Sequence, residues 1–225
     1  VLTQAVNKAD QKLYHSSFFG GLRMISMLTI PASIGLLLLG ELIISVLFEW
    51  KEFGQNNVAG ASEVLEIVAW TIPLYAISTF LIKSYHSNKN MRIPLKAASL
   101  SLFVNLGCSL VLMRICGVLG LAWANLLAAF VQSIYLYCKN PELSLLSLLK
   151  NSQICMHKVV AASFVMFFSI QFTRSLLDTA SNKIEALGQL FMLIFTGGFI
   201  YFLVLMLCKF PLLGGKHLLS GIFRN

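Results

Sequence analysis

Long apolar stretches separated by short polar segments dominate this chain. A helix rises about 1.5 Å per residue, so roughly 20 residues cross the hydrocarbon core of a bilayer. The stretches do not alternate with period two, which excludes the strand pattern of an outer-membrane barrel. The pattern therefore predicts an all-α, polytopic transmembrane helical bundle, because helices satisfy their own backbone hydrogen bonds in lipid. Its six predicted crossings are residues 22–48, 64–82, 94–113, 118–137, 154–172 and 186–208.

The composition agrees with a membrane protein and argues against an enzyme. Only 12% of the residues are charged and 57% are hydrophobic, with a mean hydropathy of +0.79. Soluble domains carry about 25% charged residues. No Asp, Glu, Lys or Arg falls firmly at mid-bilayer in the six stretches, and no nucleophile–base pair or acidic metal-binding cluster is apparent. We therefore expect neither catalysis, nor a metal, nor a cofactor.

The distribution of positive charge predicts the orientation. With the N-terminus placed in the cytoplasm, thirteen of the 17 lysines and arginines fall on the cytoplasmic side. Cytoplasmic loops of membrane proteins carry such an excess. Segments 1–17, 83–96, 139–158 and 209–225 are therefore predicted to be cytoplasmic, as are both ends of the chain. Because the net charge of +8 is not gathered on a soluble face, a nucleic-acid partner is not expected.

The six crossings divide into two groups. Residues 1–138 hold four predicted transmembrane helices, after a polar segment, 1–17, that is predicted to be a loop. Residues 139–153 form a predicted cytoplasmic linker, in which 142–151 has the polar stripe of a short interfacial helix. Residues 154–225 hold two additional helices and a basic tail. Since the chain begins at Val1 within a polar segment, we expect it to be a piece of a longer protein.

A few side chains stand out from the apolar background. Pro31 and Pro73 interrupt the first and second predicted helices, where proline is expected to kink them. Asn105 and Asn125 lie at depth in the third and fourth. Interhelical hydrogen bonding is one interpretation of these asparagines, and a hydrated cavity is the other.

The predicted loop 83–96 is the densest basic cluster and contains no acid. Its cations could anchor the topology, or contact anionic head groups or a pyrophosphate, and the two roles are compatible. The residues are Lys83, Lys89, Arg92 and Lys96.

Several short segments, taken in order, resemble the MurJ/MviN family of lipid II flippases. They are Gly21-Leu22-Arg23 before a helix with Pro31, the outer segment 48–53, the loop 83–96, Asn105, and the turn 117–122. The resemblance extends from about residue 20 to residue 137 and is only topological beyond. Three positions depart from the family pattern, namely Asn90, Ile93 and Val118.

The resemblance implies helices nine to fourteen of a fourteen-helix, two-lobe protein of a bacterial inner membrane. Such a protein moves an undecaprenyl-pyrophosphate-linked peptidoglycan precursor from the inner to the outer leaflet by alternating access. Its implied partners are that precursor, membrane lipids and the N-terminal remainder of the same protein.

The resemblance also suggests where the substrate would bind. Arg23 and Lys83 would lie at the cytoplasmic mouth of the cavity, and Asn105 and Asn125 are its polar candidates. Lys89, Arg92 and Lys96 are candidates for head-group contact. The last two helices are expected to face each other with Phe- and Met-rich surfaces, where Phe167 and Phe195 would border a groove for the lipid tail. Plain contact with membrane lipid is the other explanation of those two phenylalanines.

Three other functions remain open at this stage. Two belong to the same superfamily, a polysaccharide-repeat flippase and a multidrug or cation exporter. A cation-coupled exporter should contain buried carboxylates, and these helices have none at mid-bilayer. The third is a non-transporting membrane scaffold, which would need no polar cavity.

Overall fold

The computed structural model describes residues 11–48, 55–140, 153–177 and 183–208, and these residues form six α-helices. By length and composition, all six are able to cross a membrane. The prediction of six apolar crossings in an all-α bundle is therefore confirmed. The helices are α1 (Gln11–Phe48), α2 (Gln55–Ser87), α3 (Arg92–Cys116), α4 (Val118–Cys138), α5 (Gln153–Leu176) and α6 (Lys183–Leu207).

The first two helices are longer than predicted. Residues 11–17, expected to be part of a loop, form the first turns of α1. They are held there by the Tyr14 hydroxyl, which is 2.7 Å from the Ser84 hydroxyl and accepts a 2.8 Å bond from the Asn88 amide. Likewise most of the predicted loop 83–96 is helical, and α2 and α3 are joined by residues 88–91 alone. Tertiary contacts thus extend these helices beyond the apolar stretches that the bilayer requires.

The hairpin of α3 and α4 turns at a glycine. Gly117 has a φ of 60°, a left-handed conformation that favours a residue without a side chain. Gly120 then lies so close to the Leu112 backbone that a Cβ atom there would overlap it. Small residues on α4 continue the close approach, since Ala124 and Ala128 are buried.

Helix α1 lies between α2 and the α5–α6 pair. On one side it packs extensively against α2, which in turn packs against α4, while α3 packs mainly against α4. On the other side α1 contacts both α5 and α6. The order across the bundle is therefore α3, α4, α2, α1 and then the α5–α6 pair.

Two apolar cores hold this arrangement together. One gathers the start of α1, the end of α2 and parts of α3 and α4, and centres on Phe18, Phe80, Leu81 and Leu136. The other joins Leu39 of α1 to α5 and α6. Its buried residues on those two helices are Val159, Ala162, Met166, Ile170, Leu190, Leu193, Tyr201 and Leu205.

Two polar contacts link the ends of α5 to neighbouring parts of the bundle. The Nζ of Lys158, near the start of α5, donates a 2.8 Å bond to the Cys208 carbonyl just after α6. A cation is favourable there, because the last carbonyls of a helix lack amide partners. At the opposite end of α5, Arg174 lies 3.6 Å from Glu41 of α1. Both side chains of this ion pair are exposed, so it contributes little to stability.

The predicted interfacial helix 142–151 lies outside the described residues. Residues 49–54, which include most of the outer segment 48–53, and the basic tail 209–225 also lie outside the described residues. The two-group organisation predicted from the sequence remains a prediction.

Candidate functional site

An apolar groove lies where α1 meets the α5–α6 pair. Its volume is about 420 Å³, within the range of small-molecule sites. Small residues on facing helices, such as Ala32, Gly35 and Gly198, leave the space open. Among the described residues that line it, Tyr201 alone has a polar side chain. The lining residues are Met27, Leu28, Pro31, Ala32, Gly35, Leu36, Leu39, Ile43, Met166, Ile170, Ile194, Gly198, Tyr201 and Phe202.

A smaller hollow of about 120 Å³ lies between α1 and α5. Ile30 and Ile34 of α1 form one wall, and Val160, Ser163, Phe164, Phe167 and Phe168 of α5 form the other. The Ser163 hydroxyl is buried beside it and has no hydrogen-bond partner among the described residues. The hollow is too small for more than a short piece of an apolar chain.

The two phenylalanines proposed for the lipid tail lie apart from the larger groove. Phe167 borders the smaller hollow and contacts Phe168 edge-on. Phe195 is 78% exposed on the outer surface of α6. The expectation that the Phe-rich surfaces of α5 and α6 face each other is wrong, because Phe164, Phe191 and Phe199 are also exposed. In the structure Gly197 of α6 lies against Ile170 and Met166 of α5, and the larger groove lies beside α1.

A polar strip crosses α2, α4 and α3 in the other group of helices. The Tyr75 hydroxyl of α2 donates a 2.7 Å bond to Oδ1 of Asn125 on α4. On α3, Ser109 donates a 3.1 Å bond to Oδ1 of Asn105. Ser101 of α3 donates a 3.3 Å bond to the Ala128 carbonyl of α4. Because α3 and α4 are antiparallel, this pairing places Asn105 at about the depth of Asn125.

The strip is accessible from one side of the bundle. Tyr75 is exposed, and both asparagines are only partly buried. The structure therefore brings Asn125 into contact with a residue of α2 and leaves polar atoms on an open face. Such a face is what one wall of a hydrated cavity requires.

The predicted cationic residues lie together at one end of the bundle. Lys83 lies near the end of α2, Lys89 in the turn with a φ of 56°, and Arg92 and Lys96 in the first turns of α3. All four are exposed, whereas Arg23 of α1 is half-buried.

The acidic residues of the described ranges lie at the other end. They are Glu41 of α1, Glu63 and Glu66 of α2, and Glu185 of α6. The bundle is therefore polarised along its axis, with a positive surface around the turn 88–91.

Three side chains that link helices beside the groove or the polar strip were not singled out from the sequence. They are Tyr75, Tyr201 and Ser33, and each makes a hydrogen bond between helices. A tyrosine or serine within an apolar stretch is a weak signal, because the sequence does not tell which helix it faces. Their proximity to prolines, Ser33 to Pro31 and Tyr75 to Pro73, was the one available hint.

Comparison with known proteins gives a consistent result. The profile of the family described as "Lipid II flippase MurJ" matches residues 1–206. "Probable lipid II flippase MurJ" of Aquifex aeolicus (strain VF5) is 33% identical over 123 residues, covering 54% of this chain and 25% of that protein. The protein of the same description from Bdellovibrio bacteriovorus is 31% identical over 135 residues, covering 60% and 26%.

A solved structure, "Lipid II flippase MurJ, inward closed conformation", has the same fold. It superposes with a TM-score of 0.73 and 25% sequence identity, over 90% of this chain and 40% of that one. The matches thus span about a quarter of the length of the two curated relatives and two fifths of the solved chain.

Proposed function

The chain belongs to the MurJ family of lipid II flippases, and on that premise we propose that it is the part of such a flippase that forms one wall of the transport path. The substrate would be an undecaprenyl-pyrophosphate-linked peptidoglycan precursor, carried from the inner to the outer leaflet. Transport would proceed by alternating access, as two lobes rock about a central cavity without covalent chemistry. The observation that carries this proposal is the family match over residues 1–206 together with the 0.73 TM-score.

The apolar groove supports a role in holding the lipid tail. It is walled almost wholly by aliphatic and aromatic side chains and opens to the side of the bundle. Flexible Met27 and Met166 in its wall are suited to an irregular isoprenoid chain. In this proposal the tail lies beside α1, between it and the α5–α6 pair, while the head group occupies the polar cavity.

The polar strip and the positive surface support a role in handling the head group. Asn105 and Asn125 offer amide groups to the sugar or peptide from an open face. Arg23 and Lys83 would lie near the cytoplasmic mouth and attract the pyrophosphate, and Lys89, Arg92 and Lys96 would contact phosphates at the membrane surface. In this proposal the protein spans a bacterial inner membrane. The turn 88–91 and both ends of the chain lie on its cytoplasmic side.

Complementation tests the proposal directly. The full-length protein that contains this segment should restore growth to a bacterium depleted of its lipid II flippase, and labelled lipid II should appear in the outer leaflet. The segment alone should not restore growth, because an alternating-access cavity requires two opposed lobes. Restored export of a polysaccharide repeat or of drugs, without restored growth, would favour the rival transporters. The absence of any transport by a correctly inserted protein would favour the scaffold.

A further inference from the structure

Two prolines lie inside long helices, and each leaves a backbone carbonyl without its amide donor. Pro31 of α1 cannot donate to the Met27 carbonyl, and Pro73 of α2 cannot donate to the Ala69 carbonyl. Both helices nevertheless continue without interruption through the proline. At membrane depth no water is present to replace the missing bond, so each carbonyl requires another donor.

The first of these carbonyls is served by a side chain from α6. The Tyr201 hydroxyl donates a 2.7 Å bond to the Met27 carbonyl. Tyr201 is 7% exposed, and with Met27 and Pro31 it forms part of the groove wall. The donor comes from a helix far away in sequence, so this bond fixes α6 against α1 at the point where the α1 ladder is broken.

The second carbonyl is served in the same way by α1. The Ser33 hydroxyl donates a 2.6 Å bond to the Ala69 carbonyl. Ser33 is 4% exposed and Ala69 is fully buried. Ser33 lies only two residues after Pro31, so the break in α1 and the brace of α2 share the same turn of helix.

Four other hydroxyls of α1 and α2 bond within their own helix. Ser26, Thr29, Ser62 and Thr71 each bond to the carbonyl four residues earlier in their own helix. Those carbonyls already have amide partners in the ladder. The contacts of Tyr201 and Ser33 therefore differ both in reaching another helix and in meeting a carbonyl that a proline has left open.

We infer that Tyr201 and Ser33 are positioning residues. Their hydroxyls take the place of the two N–H donors that Pro31 and Pro73 lack, and so link α6 to α1 and α1 to α2. While the hydrogen bond from the neighbouring helix is kept, the helix is held in one shape at its proline. When that bond is released, the helix is free to bend or straighten there. The contact from α6 then sets the shape of the groove beside Pro31. A change in the shape of α1 at that point would also move Ser33, and with it the contact to α2. The inference goes beyond the transport proposal, because it concerns which contacts fix the helices, whatever the substrate.

A pair of double-mutant cycles in the full-length protein tests this inference. Tyr201→Phe keeps the ring but removes the donor, and Pro31→Ala restores the missing amide. We expect Tyr201→Phe to lower the folding equilibrium constant in detergent–lipid micelles roughly fivefold, and to change it less than twofold when Pro31→Ala is present. Hydrogen exchange of a peptide covering residues 24–34 should accelerate in the single variant and not in the double one.

Ser33→Ala with Pro73→Ala forms the second cycle and should behave in the same way. Ser26→Ala is the matched control for the first cycle. Its effect should be the same whether residue 31 is proline or alanine. Equal effects of Tyr201→Phe or Ser33→Ala in both backgrounds, or no effect at all, would overturn the inference. If Tyr201→Phe failed to fold, the Ser33 cycle, which perturbs the contact of α1 with α2 instead, would decide it. These readouts measure folding and exchange, so they stand apart from the outcome of the transport test.

Discussion

The hydroxyl of Tyr75 on α2 donates a 2.7 Å hydrogen bond to the Asn125 side chain on α4, on a face of the bundle that remains open. The bond joins two helices, and it also holds the amide of Asn125 in a fixed orientation. It therefore fits both interpretations of Asn125, as a packing residue and as part of a cavity wall.

Substitution of each partner separates these interpretations. Tyr75→Phe and Asn125→Ala both remove the bond, which in membrane proteins is worth about 0.6 kcal/mol on average. If Asn125 contacts the substrate, Asn125→Ala should reduce growth complementation by the full-length protein well below the level of Tyr75→Phe. Equal complementation by the two variants, at equal expression, would leave helix packing as the role of Asn125. Ser109→Ala, which removes a bond within α3, is the control.

The orientation can be tested by cysteine labelling. In a background without other cysteines, Lys89→Cys should react with a membrane-impermeant reagent only after the cells are opened, because the positive surface is predicted to be cytoplasmic. In a second variant that keeps only the native Cys116, which is exposed at the opposite turn between α3 and α4, that residue should react from outside intact cells. Labelling of position 89 from the outside would refute the predicted topology.

The groove can be tested by photo-crosslinking in the full-length protein. A photoreactive residue at Phe202, in the groove wall, should capture the polyprenyl-linked precursor. The photoreactive residue placed at Phe199, one turn away on the exposed surface of α6, should instead capture bulk phospholipid. This variant is the matched control.

The same photoreactive residue at positions 167 and 195 tests the assignment of Phe167 and Phe195 to a groove for the lipid tail. Capture of the precursor at 195 but not at 202 would place the tail on the outer surface of α6 and contradict the groove. Capture of phospholipid alone at both 202 and 195 would support simple contact with the membrane.

The close approach of α3 and α4 predicts a contrast between two glycines. Gly120→Ala would place a Cβ atom against the Leu112 backbone, which cannot move as a side chain can. We expect it to lower the free energy of unfolding by about 1–3 kcal/mol. Gly107→Ala on α3 meets no atom within 4 Å and should be nearly neutral, so the pair controls for the added methyl group. Similar unfolding free energies for the two variants would show that the hairpin tolerates a wider separation.

The prediction of helix number and helix type depended on the apolar pattern alone. Five of the six predicted stretches lie wholly within a helix, and the sixth extends one residue beyond α6, because the thickness of the bilayer fixes a minimum apolar length. The ends were less predictable: α1 begins at Gln11 because Tyr14 reaches Ser84, a contact between residues far apart in the chain. The grouping of cations around the turn 88–91 was also visible in the sequence, since it follows from the alternation of loops.

What the sequence determined by itself, then, is the class, the number of spans and the segregation of charge. Only the tertiary structure decided which face of each helix meets which neighbour. In lipid, an outward-facing Phe195 and an inward-facing Leu193 are equally apolar, so the hydrophobic pattern does not mark the packed face as it does in water. For the same reason the groove appeared beside α1 and not between the Phe-rich surfaces. The partners of the two open carbonyls, Tyr201 and Ser33, became visible only when the rotation of each helix about its own axis was known.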